Sequence, residues 1–146
     1  MHFVTGGAFN GKSKWVKEYY QLWDTPHVWI SSYKDEFVGE KSSCEHEENI
    51  VVLEAPEIWF KQWLKRLNKE EVRAKWQKLL QIWVEWEQQD RNRKVVIIGN
   101  DMTKGIVPIS LEERIWRDVT GWAYQDTVKQ SERVDLIWYG INQQIK

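Results

Sequence analysis

Cysteine is nearly missing from this chain. Cys44 is the only one in 146 residues, which excludes a disulfide within the chain and suits a reducing cytoplasm. An excess of charge of one sign is missing too. The 21 basic and 22 acidic residues are interspersed and leave a formal net charge of −1, so no basic field exists to hold a nucleic-acid backbone. No apolar run approaches the roughly 20 residues a membrane-crossing helix needs. The N-terminus lacks the basic start of a secretory leader and passes from a few apolar residues into glycines. Internal repeats and low-complexity linkers are absent as well. The expectation is a cytoplasmic protein of one domain, residues 1–146, with no nucleic-acid or membrane partner and length enough for its own core.

Tryptophan, in contrast, occurs 11 times. The side chain is too large for all of these to be buried in so small a chain. A tryptophan-rich core and a subunit contact or aromatic pocket wall both remain open.

Short apolar runs alternate with helical patterns, which predicts an α/β fold with a mainly parallel sheet. Strands are expected at His2 to Thr5, His27 to Ser32, Ile50 to Leu53, Lys94 to Ile98 and Val134 to Tyr139. A helix is expected from Lys12 to Trp23, where Trp15, Val16, Tyr19, Tyr20 and Trp23 recur at helical spacing. Glu57 to Asp90 reads as helical with a break near Asn68, and its stripe of Val72, Trp76, Leu79, Leu80, Trp83 and Trp86 reads as core. Leu111 to Gln130 is a helix with Ser110 as N-cap and Glu113 three residues on. Ser31 to Asn49 is polar, without period, and is expected to be a loop.

The segment Gly6-Gly7-Ala8-Phe9-Asn10-Gly11-Lys12-Ser13 fits the phosphate-binding P-loop template, and it lies between an expected strand and an expected helix as that template requires. Glycines allow backbone N–H groups to close around phosphate oxygens where side chains would obstruct them. Lys12 has the reach for β- and γ-phosphates, and the Ser13 hydroxyl suits Mg²⁺. The helix that follows turns its positive end toward the anion. All eight residues are candidate contacts for GTP or ATP.

Two distant segments narrow the reading. Gly99-Asn100-Asp101-Met102-Thr103-Lys104-Gly105-Ile106-Val107-Pro108 follows a strand, and Arg114, Arg117-Asp118 and Gly121 fall in the next helix. With Val4-Thr5-Gly6-Gly7-Ala8 and Gly11-Lys12-Ser13 these resemble the bifunctional adenosylcobinamide kinase/adenosylcobinamide-phosphate guanylyltransferase family of cobalamin assembly. The resemblance covers both ends of the chain. It implies a P-loop NTPase-like parallel-sheet fold, usually a trimer of identical subunits. It further implies phosphoryl transfer from a nucleoside triphosphate to a hydroxyl of the corrinoid cobinamide, and GMP transfer from GTP through a covalent histidine. Carried onto this chain, Lys12 would serve catalysis and Ser13 and Asp101 would meet Mg²⁺. His46 lies at about the right distance before the Ile50 strand to be the guanylylated residue, although Glu45, Glu47 and Glu48 surround it.

The chain also departs from that pattern. The family carries a strand ending in an acidic residue between the long helical region and the strand at Lys94, and none is legible there. Glu54 ends an apolar run and reads first as a strand-end surface charge. A metal-side role would require its strand to adjoin the P-loop strand. Asp118 reads as the structural partner of Arg117, and Tyr124-Gln125 stand where the family has Asn-Gln. Three functions stay open: a cobinamide-type kinase and guanylyltransferase, a relative that binds nucleotide for regulation or structure without turnover, and a kinase of another small metabolite.

Overall fold

Apolar residues occupy consecutive rather than alternate positions in Val51-Val52-Leu53 and Val95-Val96-Ile97-Ile98, the mark of strands buried on both faces. The computed structural model describes residues 1–34, 48–102 and 108–146, and it places these runs at the centre of a six-stranded sheet. The strands are β1 (His2–Gly6), β2 (His27–Ser31), β3 (Ile50–Glu54), β4 (Lys94–Asn100), β5 (Arg133–Trp138) and β6 (Ile141–Gln144), in the order β2-β3-β4-β1-β5-β6. All pairings are parallel except β5 with β6. The expected α/β, mainly parallel architecture is therefore present.

Side-chain alternation divides the core in two. Phe3, Val51, Leu53, Val95, Ile97 and Val134 face helices α2 (Pro56–Trp63), α3 (Lys69–Gln88) and α4 (Leu111–Gln130). Val4, Val52, Val96, Ile98 and Ile137 face the other way, onto Val16 of α1 (Lys12–Tyr19). Trp59, Trp63, Trp76, Trp83 and Trp86 are buried on the three-helix side, which accounts for much of the tryptophan as core. Trp23 and Trp138 are exposed.

The end of the first helix and the presence of a sixth strand differ from expectation, and local chemistry accounts for these and for two termini that fall where expected. The first helix stops at Tyr19 because Gln21 turns left-handed (φ 52°), which leaves Trp23 outside it. The break at Asn68 is a full capping box. Its side chain accepts from the Glu71 N–H at 2.9 Å, and the Glu71 carboxylate accepts from the Asn68 N–H at 2.8 Å. Ser110 stands at the N-cap of α4 but its side chain makes no capping hydrogen bond. Strand β6 was not legible: its burial pattern is exposed throughout, and it forms because Gly140 (φ 81°) reverses the chain after β5. No helix among the described residues is long and apolar enough to cross a membrane.

Candidate functional site

Ligands of open α/β sheets sit beyond the carboxyl ends of the strands. Here the ends of β1, β3 and β4 bring Gly6, Glu54 and Asn100 together beside the first turn of α1. The chain leaves β1 with Gly6 at φ 146°, where a side chain would collide with the Ile137 carbonyl, and enters α1 through Gly11 at φ 86°. These glycines let Gly6–Ser13 wrap the positive end of α1. The loop borders a cavity of about 400 Å³ whose wall also includes Tyr33, Glu54 and Asn100.

Lys12 is buried against its own loop. Its ammonium donates to the Gly6 carbonyl at 3.2 Å, the Gly7 carbonyl at 2.8 Å and Asn100 Oδ1 at 2.7 Å. Burial lowers its pKa, opposed by the nearby charges of Glu57, Glu54 and Asp101.

The Ser13 hydroxyl donates to Glu54 Oε1 at 2.6 Å, and Trp29 Nε1 donates to Glu54 Oε2 at 2.9 Å. Burial alone would raise the pKa of Glu54. Hydrogen bonds from Ser13, Ser31 and Trp29, with the charge of Lys17, outweigh it and hold the carboxyl below its usual range. Glu54 is therefore no stray surface charge. Its strand does not adjoin β1, since β4 lies between, yet the carboxylate still reaches the loop. The acidic strand sought after the long helices is absent from that place, and β3 is the strand that ends in a carboxylate facing Ser13.

A sharp turn follows. Ala55 is left-handed (φ 59°), its N–H donates to the Ile98 carbonyl at 2.8 Å, and Pro56 opens α2. The turn buries Glu57 behind Asn100. Asn100 Nδ2 donates to Glu57 Oε1 at 2.5 Å and to the Tyr33 hydroxyl at 2.8 Å, while the Tyr124 hydroxyl donates to Glu57 Oε2. Burial pushes the Glu57 carboxyl up, against the hydrogen bonds of Tyr124 and Asn100. Gly99 makes room for this contact, because a methyl group there would strike the Tyr124 phenol. Lys12, Asn100, Glu57 and Tyr124 thus form one continuous polar chain.

The other candidates separate. Asp101 bonds through its backbone N–H to the Gly6 carbonyl at 3.0 Å, but its residue lines a different hollow, with Phe3, Met102 and Tyr124. The Ser13 hydroxyl bonds Glu54, and the Asp101 charge acts on Lys12. His46 and the Lys104–Val107 stretch lie outside the described residues. His2 is buried between Asp135 and Tyr20, and His27 bonds the Thr25 carbonyl. Neither borders the loop cavity. Arg117 and Asp118 line a hollow with Lys69 and Leu111. Glu57 and Tyr33 are not among the sequence candidates, Tyr124 reads there only as a mismatch, and Glu54 reads first as a surface charge. For Glu54 a usable signal existed: a carboxylate at the carboxyl end of a fully apolar run, immediately before Ala-Pro.

The sequence model of the cobinamide kinase / cobinamide phosphate guanyltransferase family matches residues 29–145 of this 146-residue chain. The chain belongs to that family. The match begins in β2, and its span includes Glu54, Glu57, Asn100 and Tyr124. The loop at Gly6–Ser13 precedes the matched span and is an independent observation. The family's name gives a kinase and a guanyltransferase activity on cobinamide and its phosphate. Comparison with curated proteins finds no match.

Proposed function

We propose that Gly6, Gly7, Ala8, Phe9, Asn10, Gly11, Lys12 and Ser13 hold the phosphates of GTP or ATP, and that the protein transfers the γ-phosphoryl group to a hydroxyl of cobinamide. The observation that carries this reading is the convergence at one cavity of Lys12 and Ser13, from the first turn of α1, with Glu54, from the end of β3. Phosphoryl transfer demands alignment and neutralised charge more than covalent help from the protein.

The donor set fits Mg²⁺. Ser13 and Glu54 offer hard oxygens 2.6 Å apart, and Mg²⁺ characteristically takes one or two protein oxygens and fills the remainder from phosphates and water. When bound, the ion supplies charge neutralisation on the phosphates. Ser13 and Glu54 would hold it, with Glu54 replacing Asp101 in that role.

Lys12 must exchange the Gly7 carbonyl and Asn100 for phosphate oxygens as the nucleotide enters. Asn100, held from behind by Glu57 and Tyr33, keeps the ammonium at the cavity wall until then. In the reaction the γ-phosphorus gains a bond to the acceptor oxygen and loses its bond to the β-phosphate. The acceptor oxygen gives up its hydroxyl proton to solvent as the ester bond forms, the bridging oxygen leaves on the nucleoside diphosphate, and Glu54 stays ionised beside Ser13.

The phosphate loop supports the kinase half; for guanylyl transfer, His2 and His27 do not border the cavity and the candidate His46 lies outside the described residues. Titration calorimetry with GTP and ATP, with and without Mg²⁺, tests the binding step. Lys12→Ala should weaken binding about tenfold to hundredfold, the worth of hydrogen bonds to a charged group. Incubation with γ-labelled nucleotide and adenosylcobinamide should give labelled cobinamide phosphate. Binding with no labelled product would leave a nucleotide-binding relative without turnover. α-Labelled GTP tests the other half: acid-labile label on the protein, lost in His46→Ala, would establish guanylyl transfer.

A further inference from the structure

Among the described residues four that are not glycine have left-handed backbones: Phe9, Gln21, Ala55 and Tyr139. Gln21 ends α1 and Ala55 makes the turn that positions Glu54 and Glu57. The remaining two are aromatic. Phe9 (φ 61°) is 104% exposed and Tyr139 (φ 50°) is 77% exposed, so neither ring is held there by core packing. Bulky residues seldom adopt this conformation, and where they do the strain commonly marks a functional position.

The two residues lie on segments bound directly to each other. The Gly140 N–H, next to Tyr139, donates to the Asn10 carbonyl, next to Phe9, at 2.8 Å. Trp138 is half-exposed and meets Tyr139 edge to face, with centroids 5.7 Å apart and planes at 77°. The β5–β6 turn therefore presents solvent-facing aromatic rings at the edge of the phosphate loop.

The two rims of the loop differ in chemistry. On the β3 side stands the Glu54 carboxylate, bonded to Ser13. On the β5–β6 side stand Trp138 and Tyr139. A nucleoside triphosphate has the same division, with an anionic cation-binding end and a flat aromatic end. With phosphates and cation at Lys12, Ser13 and Glu54, the aromatic end of the nucleotide has the β5–β6 turn within its reach, since that turn is bonded to the loop at Asn10. We propose that Tyr139, with Trp138 in edge contact and Phe9 on the adjoining loop segment, forms the stacking platform for the nucleobase. This rests on the phosphate-loop reading of Gly6–Ser13. Stacking uses the π-face that every base has, so the platform strengthens ATP and GTP binding alike.

Titration calorimetry on the full chain with Mg²⁺ tests it, using GTP, ATP and the base-free ligand tripolyphosphate. Tyr139→Asn removes the ring but suits a left-handed backbone, so the fold is retained, as a thermal melt will verify. The expected result is a loss of roughly tenfold to hundredfold in affinity for both nucleotides, with tripolyphosphate unchanged. Tyr139→Phe should restore nucleotide affinity. Unchanged GTP affinity in Tyr139→Asn overturns the platform and leaves the loop assignment standing. So does an equal loss of tripolyphosphate, or a variant whose only change is the loss of self-association through the exposed β5–β6 edge. If the unaltered protein binds neither tripolyphosphate nor nucleotide, the loop assignment itself fails and the platform with it.

Discussion

Ser13 and Glu54, 41 residues apart, share a 2.6 Å hydrogen bond between the start of α1 and the end of β3. The bond joins the phosphate loop, which precedes the family match, to a strand within it. It also explains why Glu54 stays ionised despite partial burial.

Replacing Glu54 by Gln therefore removes charge at nearly constant shape. Affinity for nucleotide without Mg²⁺ should change little, because Lys12 and the loop backbone remain. The gain in affinity on adding Mg²⁺ should fall at least about tenfold, the scale at which even supporting residues of a metal site act. Paired calorimetric titrations check this, and an undiminished Mg²⁺ effect would remove Glu54 from the proposed cation site.

Two glycines should respond oppositely to the same substitution. A methyl group at Gly99 would strike the Tyr124 phenol, which is held by its bond to Glu57, so Gly99→Ala should cost about 1–3 kcal/mol through overpacking. Gly121 lies inside α4 with no neighbouring atom within 4 Å of an added Cβ. Gly121→Ala should stabilise by about 0.5–1 kcal/mol through helix propensity and a stiffer unfolded chain. Urea denaturation of both variants distinguishes the signs.

Why one of these residues was visible in sequence and its partner was not is a matter of distance. The loop spacing, the double-sided apolar strands and the capping Asn68 are local patterns, and each appears where its pattern places it. Glu57 sits in an amphipathic helix, where its carboxylate resembles any solvated charge. It becomes a buried acceptor only because the left-handed Ala55 turn and the absent side chain at Gly99 let Asn100 and Tyr124 close on it. Tyr124 likewise read as a mismatch to the family's pair at that helix, whereas its hydroxyl supports the wall of the site. Strand β6 escaped notice because its pairing with β5 comes from the reversal at Gly140 and from no hydrophobic period of its own.

Tyr124→Phe deletes a donor to the buried Glu57 carboxylate. An unsatisfied buried acceptor costs about 1–3 kcal/mol. The cost should depend on pH. The folded-state pKa of Glu57 is already raised by burial, so its contribution is most favourable below the ordinary carboxylate value and declines as pH rises through the folded value. Losing Tyr124 raises that folded value further. The variant should therefore lie nearest to the parent at acid pH and fall behind toward neutrality, as chemical denaturation across that range will measure.

At the opposite end of β1, His2 Nε2 donates to Asp135 Oδ2 (2.8 Å) and Nδ1 accepts from the Tyr20 hydroxyl (2.7 Å), within an aromatic enclosure of Trp15, Tyr19 and Tyr20. Burial lowers its pKa from 6.5 to about 4, against the opposing effect of Asp135. Between those values the unfolded chain binds a proton that the folded chain refuses. Stability from this residue is thus complete above about pH 6.5 and is lost progressively as pH falls to 4, on the order of 3 kcal/mol for a shift of this size. His2→Gln keeps a neutral hydrogen-bonding side chain and cannot titrate. It should be less stable than the parent at pH 7, where fit matters, and should lose less stability on acidification to pH 4. Parallel urea titrations at pH 7, 5.5 and 4 decide it: equal acid sensitivity in the two proteins would show that His2 is protonated in the folded state and paired as an ion with Asp135.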